Sequence, residues 1–160
     1  MKKLIFLLTF ISITSSAQES KKVMAPINQL FEAMKLGDSS MLHRAFHPDA
    51  TLFTVLNDPK TNQPSLRKES LAPFLKSIGT PHKEVYNEMI WGEKIDIDGD
   101  FAQVWVDYAF YLGKTFSHCG VDAFQLIRNP KGEWLIFGLA DTRRKVDCNV
   151  PSAISKQFEN

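Results

Sequence analysis

The sequence predicts an α+β domain in which helices come first and a long antiparallel sheet follows. In the first half of the chain, apolar residues recur at helical spacing. All three tryptophans and all three tyrosines lie in the second half, within runs of β-branched and aromatic residues. Turn signals cut those runs into strands. This order indicates a curved sheet wrapped around a helical layer, with a conical cavity between the two.

The N-terminus has the pattern of a secretory signal peptide. Lys2 and Lys3 precede an apolar run over residues 4–13, and small residues end at Ala17. We therefore predict cleavage near Ala17, a periplasmic or secreted protein, and one domain over residues 18–160. The apolar run is about half as long as a bilayer-spanning helix, so no membrane anchor is expected after cleavage.

Composition and motifs narrow the classes of function. The formal net charge is +1, which gives no basic surface for nucleic acid. No nucleotide-binding loop, nucleophile elbow or metal-ligand motif is present in the sequence. The sequence predicts neither a cofactor nor a metal.

Three helices and one strand are predicted before the main sheet. The first helix covers residues 23–36, because a proline such as Pro26 is tolerated only in a helix's first turn. Asp38 caps a second helix over residues 39–46, and Ser70 caps a third over 71–78. A strand at 50–56 and a polar loop lie between the last two helices.

Four antiparallel strands then follow, joined at three turns. The first turn, at Asp98 and Gly99, has the strongest short hairpin signal. A two-residue turn there pairs Trp91 with Val106 on the buried face. The opposite face is polar and comprises Lys94, Asp96, Gln103 and Asp107.

The turn at Gly113 leaves two registers open. A two-residue turn would place Cys119 on the face of Tyr108, whereas a three-residue turn would place His118 there. We favour the three-residue turn, because it puts the bulkier apolar set on the buried face. That set comprises Phe116, Phe124 and Leu126, and His118, Gly120 and Asp122 share their face.

The two cysteines, Cys119 and Cys148, are predicted to form a disulfide. An exported protein enters an oxidising compartment, and only one pairing exists. In the favoured register, Cys119 faces outward, toward the C-terminal tail. Free thiols and a metal site are the alternatives.

Two long stretches resemble one superfamily. "NQLFEAMKLGDSSMLHRAFHPDATLFTV" and "FQLIRNPKGEWLIFGLADTRR" are similar to the opening and closing segments of nuclear transport factor 2-like proteins. That superfamily includes SnoaL-like cyclases, ketosteroid isomerases and scytalone dehydratases. Exported bacterial proteins labelled "putative lumazine-binding" resemble this chain most. The resemblance implies a cone-shaped fold, with N-terminal helices packed on a strongly curved antiparallel sheet.

Candidate site residues follow from the favoured register. His118, Asp122 and Tyr108 are the candidate catalytic groups, since enzymes of this superfamily use a cavity Asp or His with a Tyr donor. The last hairpin is expected to bring His118 level with residues 141–143. Candidate ligand-binding residues are Trp91, Val106, Tyr108, Phe110, Phe124, Asp141 and Arg143.

Three functions are compatible with this pattern. The first is an exported domain that binds a small, largely apolar or aromatic molecule in the cone. The second is an isomerase, cyclase or dehydratase without a cofactor, with His118 as acid or base. The third is a homodimeric interaction module, associating through outer-face residues Trp105, Tyr111 and Tyr86.

Overall fold

The computed structural model describes residues 10–159, with side chains described from residue 17 onward. Residues 1–9 of the predicted signal peptide lie outside the described residues. Within residues 10–159, the fold has four helices and six strands. The helices are α1 (Phe10–Leu36), α2 (Ser39–Arg44), α3 (Leu71–Gly79) and α4 (Ser152–Ser155). The strands are β1 (Phe46–Asn57), β2 (Pro64–Ser70), β3 (Tyr86–Asp98), β4 (Phe101–Leu112), β5 (Thr115–Arg128) and β6 (Trp134–Thr142).

One six-stranded sheet carries the fold, with strand order β2-β1-β6-β5-β4-β3. The four late strands form the predicted antiparallel meander. The sheet is mixed, however, because β1 pairs with β6 in parallel. Strand β2 lies between the predicted loop and α3, where no strand was predicted. All its residues are exposed, and it is an edge strand paired with β1.

Helix α1 begins earlier than predicted. Pro26 lies inside the helix rather than in its first turn. Tertiary contacts hold the segment before it: the Glu19 carboxylate accepts hydrogen bonds from Trp134 Nε1 (3.0 Å) and Arg128 Nη1 (3.4 Å). Val23 and Ile27, on either side of the proline, are both fully buried. These contacts offset the backbone hydrogen bond that Pro26 cannot donate.

The helix junctions follow the sequence signals. Gly37 adopts a φ of +68° at the end of α1. The Asp38 side chain then accepts a hydrogen bond from Met41 N (2.8 Å) and caps α2. Helix α3 begins directly after Ser70, as predicted, although that side chain makes no capping bond.

The hydrophobic core lies between the helices and the inner face of the sheet. Fully buried members include Val23, Ile27, Leu30, Leu42, Val104, Val106, Phe124, Leu126 and Ile136. Among residues 10–159, no helix has the length and apolar character required to cross a membrane.

A bulge determines which residues of β3 face inward. The hairpin turn lies at Gly99 and Asp100, one residue later than predicted, and the pairing shifts again around Gly92. With a φ of +69°, Gly92 adopts a conformation that favours glycine in a bulge. Trp91 therefore pairs with Asp107 on the outer face, so its predicted place in the cavity wall is wrong.

A second bulge sets the register of β5. The turn uses two residues, Gly113 and Lys114, so the predicted three-residue turn is wrong. Ser117 is an extra, bulged residue that shifts the pairing of β5 by one residue. His118 therefore lies on the inner face, as predicted, and pairs with Phe110. Phe116 lies before the bulge, pairs with Tyr111 and faces outward, contrary to prediction.

The C-terminal tail covers part of the outer face. Cys119 and Cys148 form the predicted disulfide, and Cys119 is fully buried. Phe158 stacks on Tyr111 with ring centroids 3.8 Å apart, and Tyr111 is only 5% exposed. Tyr111 is therefore covered by the protein's own tail. Trp105 stays 48% exposed.

Candidate functional site

The inner cavity is a small space of about 110 Å³ between the helices and the concave face of the sheet. Its apolar side consists of Leu30, Phe31, Met34, Leu52, Phe53, Phe74 and Leu139. Its polar side consists of Thr54, Glu69, Glu88, Tyr108, His118, Asp122, Asp141 and Arg143. A small ligand with one apolar side and several polar atoms fits this lining.

A pair of carboxyl groups forms the centre of the polar side. Asp122 is 3% exposed, and the partly buried Glu88 of β3 lies beside it, with the two carboxyls within hydrogen-bonding reach. No N–H or O–H donor among residues 10–159 reaches Asp122 Oδ2. Two carboxyls share a hydrogen bond only when one of them carries a proton. A hydrogen bond within the pair therefore requires a proton inside the cavity.

Burial and like charge explain why that proton is retained. Burial, together with the negative charge of Asp141, raises the pKa of Glu88 to about 7. The pKa of Asp122 also lies well above its usual range, through burial and then the charges of Glu88 and Asp141. Asp122 and Asp141 are directly opposite each other on neighbouring strands, where two carboxylates would repel.

Asp141, which is ion-paired with Arg143, is well supplied with hydrogen-bond donors. Thr54 Oγ1 donates to its Oδ1 (2.6 Å), and Arg143 Nε donates to its Oδ2 (2.7 Å). Tyr108 Oη lies 3.5 Å from the same Oδ2 and donates a shorter hydrogen bond (2.9 Å) to the carbonyl of Thr142. The site thus contains two kinds of acidic group: the carboxylate of Asp141, which is ion-paired with Arg143, and the Glu88–Asp122 pair, whose pKa values are raised.

Gly120 makes the position of Tyr108 possible. It lies opposite Tyr108 in the ladder between β4 and β5. A Cβ at Gly120 would overlap the Thr142 carbonyl and come within 2.7 Å of the tyrosine ring. Only glycine leaves room for the ring and the carbonyl to meet in a hydrogen bond.

His118 lies at the edge of the cavity, against aromatic rings. Its ring centroid is 5.1 Å from that of Phe110 and 5.7 Å from that of Tyr108, and its Nδ1 is 3.0 Å from Ser117 Oγ. Burial lowers its pKa to about 4, and the positive charge of Arg143 adds to the effect. The ring is therefore neutral at pH 7, with one N–H and one acceptor nitrogen.

The structure brings five of the predicted site residues to the cavity: Tyr108, His118, Asp122, Asp141 and Arg143. The partner of His118 differs from expectation, because the residue level with Asp141 is Asp122 rather than His118. Val106 and Phe124 belong to the packed core, and Phe110 lies beside His118. Their ligand-binding roles stay predictions.

Sequence reasoning missed Glu88 and Thr54. Glu88 was on the predicted polar face, because the bulge at Gly92 was not recognised. A glycine inside a strand is the signal that could have revealed it. Thr54 lies on β1, whose parallel pairing with β6 brings it opposite Asp141. Among residues 10–159, no group of three or more His, Cys, Asp or Glu side chains could hold a metal ion.

Comparison with known proteins gives a family match and a fold match. The family model described as "putative lumazine-binding" matches residues 18–138. An NTF2-like protein of unknown function from Shewanella baltica is 21% identical, with a TM-score of 0.61 over 80% of this chain and 95% of that one. No curated protein matches this chain.

Two further similar structures have enzyme names. A putative dehydratase of the NTF2-like family from Streptomyces avermitilis is 18% identical, with a TM-score of 0.61 over 81% of this chain and 98% of that one. A putative ketosteroid isomerase from Shewanella frigidimarina is 14% identical, with a TM-score of 0.55 over 75% and 94%. At these identities the likeness shows a nuclear transport factor 2-like fold, as the sequence predicted.

Proposed function

We propose that this chain, which belongs to the family described as "putative lumazine-binding", is an exported domain that binds a small molecule in its inner cavity. The observation that carries the proposal is the buried Glu88–Asp122 carboxyl pair facing that cavity. A buried polar group without a full set of partners costs stability, and a bound ligand would supply them. Export is supported by the disulfide, which fits an oxidising compartment.

The size of the cavity limits the ligand. A volume of about 110 Å³ corresponds to roughly four molecules of liquid water, and a cavity of about 150 Å³ takes benzene. The buried part of the ligand is therefore a short aliphatic group or a single small ring. Asp122 Oδ2, which no donor among the described residues reaches, accepts a hydrogen bond from a polar atom of the ligand, while the apolar wall contacts the rest.

Retention of a natural ligand tests the proposal. Native mass spectrometry of protein purified from its host should show an added small mass that disappears on denaturation. The variants Glu88→Gln and Asp122→Asn keep the side-chain shape but change the hydrogen-bond donors. They should retain less of the added mass than Glu93→Gln, an exposed control on the same strand. Equal retention by all of these proteins would contradict the proposed role of the carboxyl pair.

An acid–base enzyme of the isomerase or dehydratase kind is the second candidate. The pKa of Glu88, about 7, favours it, because a carboxyl that titrates near neutral pH can both take and return a proton. In this candidate, the carboxyl pair rather than His118 transfers the proton. His118 orients the ligand through its neutral ring.

Carbon–hydrogen exchange would detect such an activity without a known substrate. In heavy water, the enzyme would remove a proton from a carbon beside the carbonyl of butanone and return a deuteron, which NMR measures directly. Glu88→Gln and Asp122→Asn should abolish the exchange, whereas Glu93→Gln should not. Exchange that persists in both cavity variants would exclude the pair as the acid–base unit.

A further inference from the structure

A second, more open groove lies beside the inner cavity, with a volume of about 590 Å³. We call it the basic mouth. Its walls are Val55, Leu56, Asn57, His118, Thr142, Arg143, Arg144 and Lys145. Three of these side chains are cationic, and none of the described residues lining the groove is acidic. The groove is therefore suited to an anion.

The basic mouth is continuous with the inner cavity. His118 and Arg143 line both spaces. The Arg143 guanidinium is held at this junction by its Nε hydrogen bond to Asp141 (2.7 Å), and its side chain remains 49% exposed. A ligand seated against the carboxyl pair would have its other end beside Arg143.

The positive charge of the basic mouth is not neutralised within the protein. Asp141 pairs with Arg143, but Arg144 Nε donates only to the carbonyl of Asp147, at 3.4 Å. Across residues 10–159, Arg144 and Lys145 form no ion pair with a carboxylate. The charges of Arg143 and Lys145 act on the His118 ring and contribute to lowering its pKa. Their field thus extends to the cavity entrance.

We infer that the basic mouth binds the anionic end of a ligand whose uncharged end occupies the inner cavity. The ligand class is then a small organic oxyanion, such as a short-chain carboxylate. The inference rests on the proposed function, since it requires the inner cavity to be a binding site. The separation of charges supports it. An anion placed deep in the cavity would meet Asp122, Glu88 and Asp141, whereas at the mouth it meets Arg143, Arg144 and Lys145. The ligand is therefore oriented with its charge outward.

Butyrate and its uncharged isostere butyramide provide a matched pair of probes. Both have a short apolar chain that contacts the apolar wall and has no group for the carboxyl pair. They differ only in charge at the other end, so they test the basic mouth alone. Titrations of ¹⁵N-labelled protein followed by NMR should show butyrate binding about tenfold more tightly, with shifts at Tyr108, Asp122 and Lys145. Butyrate affinity should fall as salt is added, because the basic mouth is open to solvent.

Removing the charges of the basic mouth should affect only the anion. In the double variant Arg144→Gln/Lys145→Gln, butyrate should bind about tenfold more weakly and butyramide as before. The control Lys94→Gln/Lys131→Gln removes two exposed charges from the outer face and from the turn before β6, and should leave both affinities unchanged. Should the double variant not fold, Lys145→Gln alone tests the same point, with a smaller loss.

Several results would overturn the inference. If butyramide binds as tightly as butyrate, with shifts at Tyr108 and Asp122, the cavity is a binding site but the mouth does not select an anion. If inorganic phosphate binds as tightly as butyrate, the anion is held without the cavity. If neither organic probe binds, the inference also fails, and retention of a ligand from the host still decides the proposed function separately.

Discussion

Replacing Glu88 by glutamine should change how the stability of the protein depends on pH. The substitution removes one titratable group from the buried carboxyl pair while keeping its size. Burial raises the pKa of Glu88 from 4.5 to about 7, so the folded protein binds more protons than the unfolded chain between these values. The wild type should therefore lose stability as pH rises through this window.

The size of the effect follows from the shift. Each pKa unit corresponds to about 1.36 kcal/mol, so Glu88 accounts for about 3 kcal/mol, lost between about pH 4 and pH 8. Glu88→Gln lacks this loss. From the lower to the higher pH, its free energy of unfolding should therefore rise by about the same amount relative to that of the wild type. Asp122 remains buried in the variant and keeps part of the original pH dependence.

Urea denaturation at about pH 4 and about pH 8 measures the free energy of unfolding of both proteins. The exposed control Glu93→Gln should follow the wild type at both pH values. If Glu88→Gln and the wild type show parallel pH dependence, the Glu88 carboxyl is not held protonated by burial. The account of the carboxyl pair would then be wrong.

Three further predictions concern the frame around the site. Cys119 and Cys148 close a loop with a sequence separation of 29, so reduction should lower the free energy of unfolding by about 3–4 kcal/mol; equal denaturation curves with and without reductant would contradict this. Gly120→Ala should destabilise the protein by about 1–3 kcal/mol and change the near-ultraviolet circular dichroism of Tyr108. If the variant melted at the same temperature as the wild type, the ring would have room to move. Trp105→Ser should convert the homodimer expected through the outer face to a monomer in solution scattering, and an unchanged mass would refute that interface.

Local signals in the sequence were sufficient for most of the architecture. Apolar spacing, the Asp38 cap and Gly37 placed the early helices, and the turn signals separated the four late strands. Strand β2 was missed because it has no buried face. Its exposed residues show no alternation, and only pairing with β1 makes it a strand.

The candidate site depended on register, which local patterns determine poorly. His118 and Asp122 were placed on the inner face through a wrong turn length, because the bulge at Ser117 adds the residue that the turn lacks. At Gly92 no such compensation occurred, so Trp91 was assigned to the wrong face and Glu88 was not recognised as a cavity residue. One extra residue reverses every side chain beyond it, so single bulges decide which carboxyls are buried.

The central place of the last strand has a consequence for how the protein matures. Strand β6 is made last of the six, yet it lies between β1 and β5, and Thr51 pairs with Gly138. Until residues near 140 become available, the β1–β2 hairpin and the β3–β5 meander cannot join, and each leaves an unpaired backbone edge. Such distant pairing slows folding, so a chain secreted from its N-terminus would remain vulnerable to aggregation until its final segment emerged. Truncations before Trp134 should therefore yield separate, insoluble fragments of the sheet rather than a smaller domain.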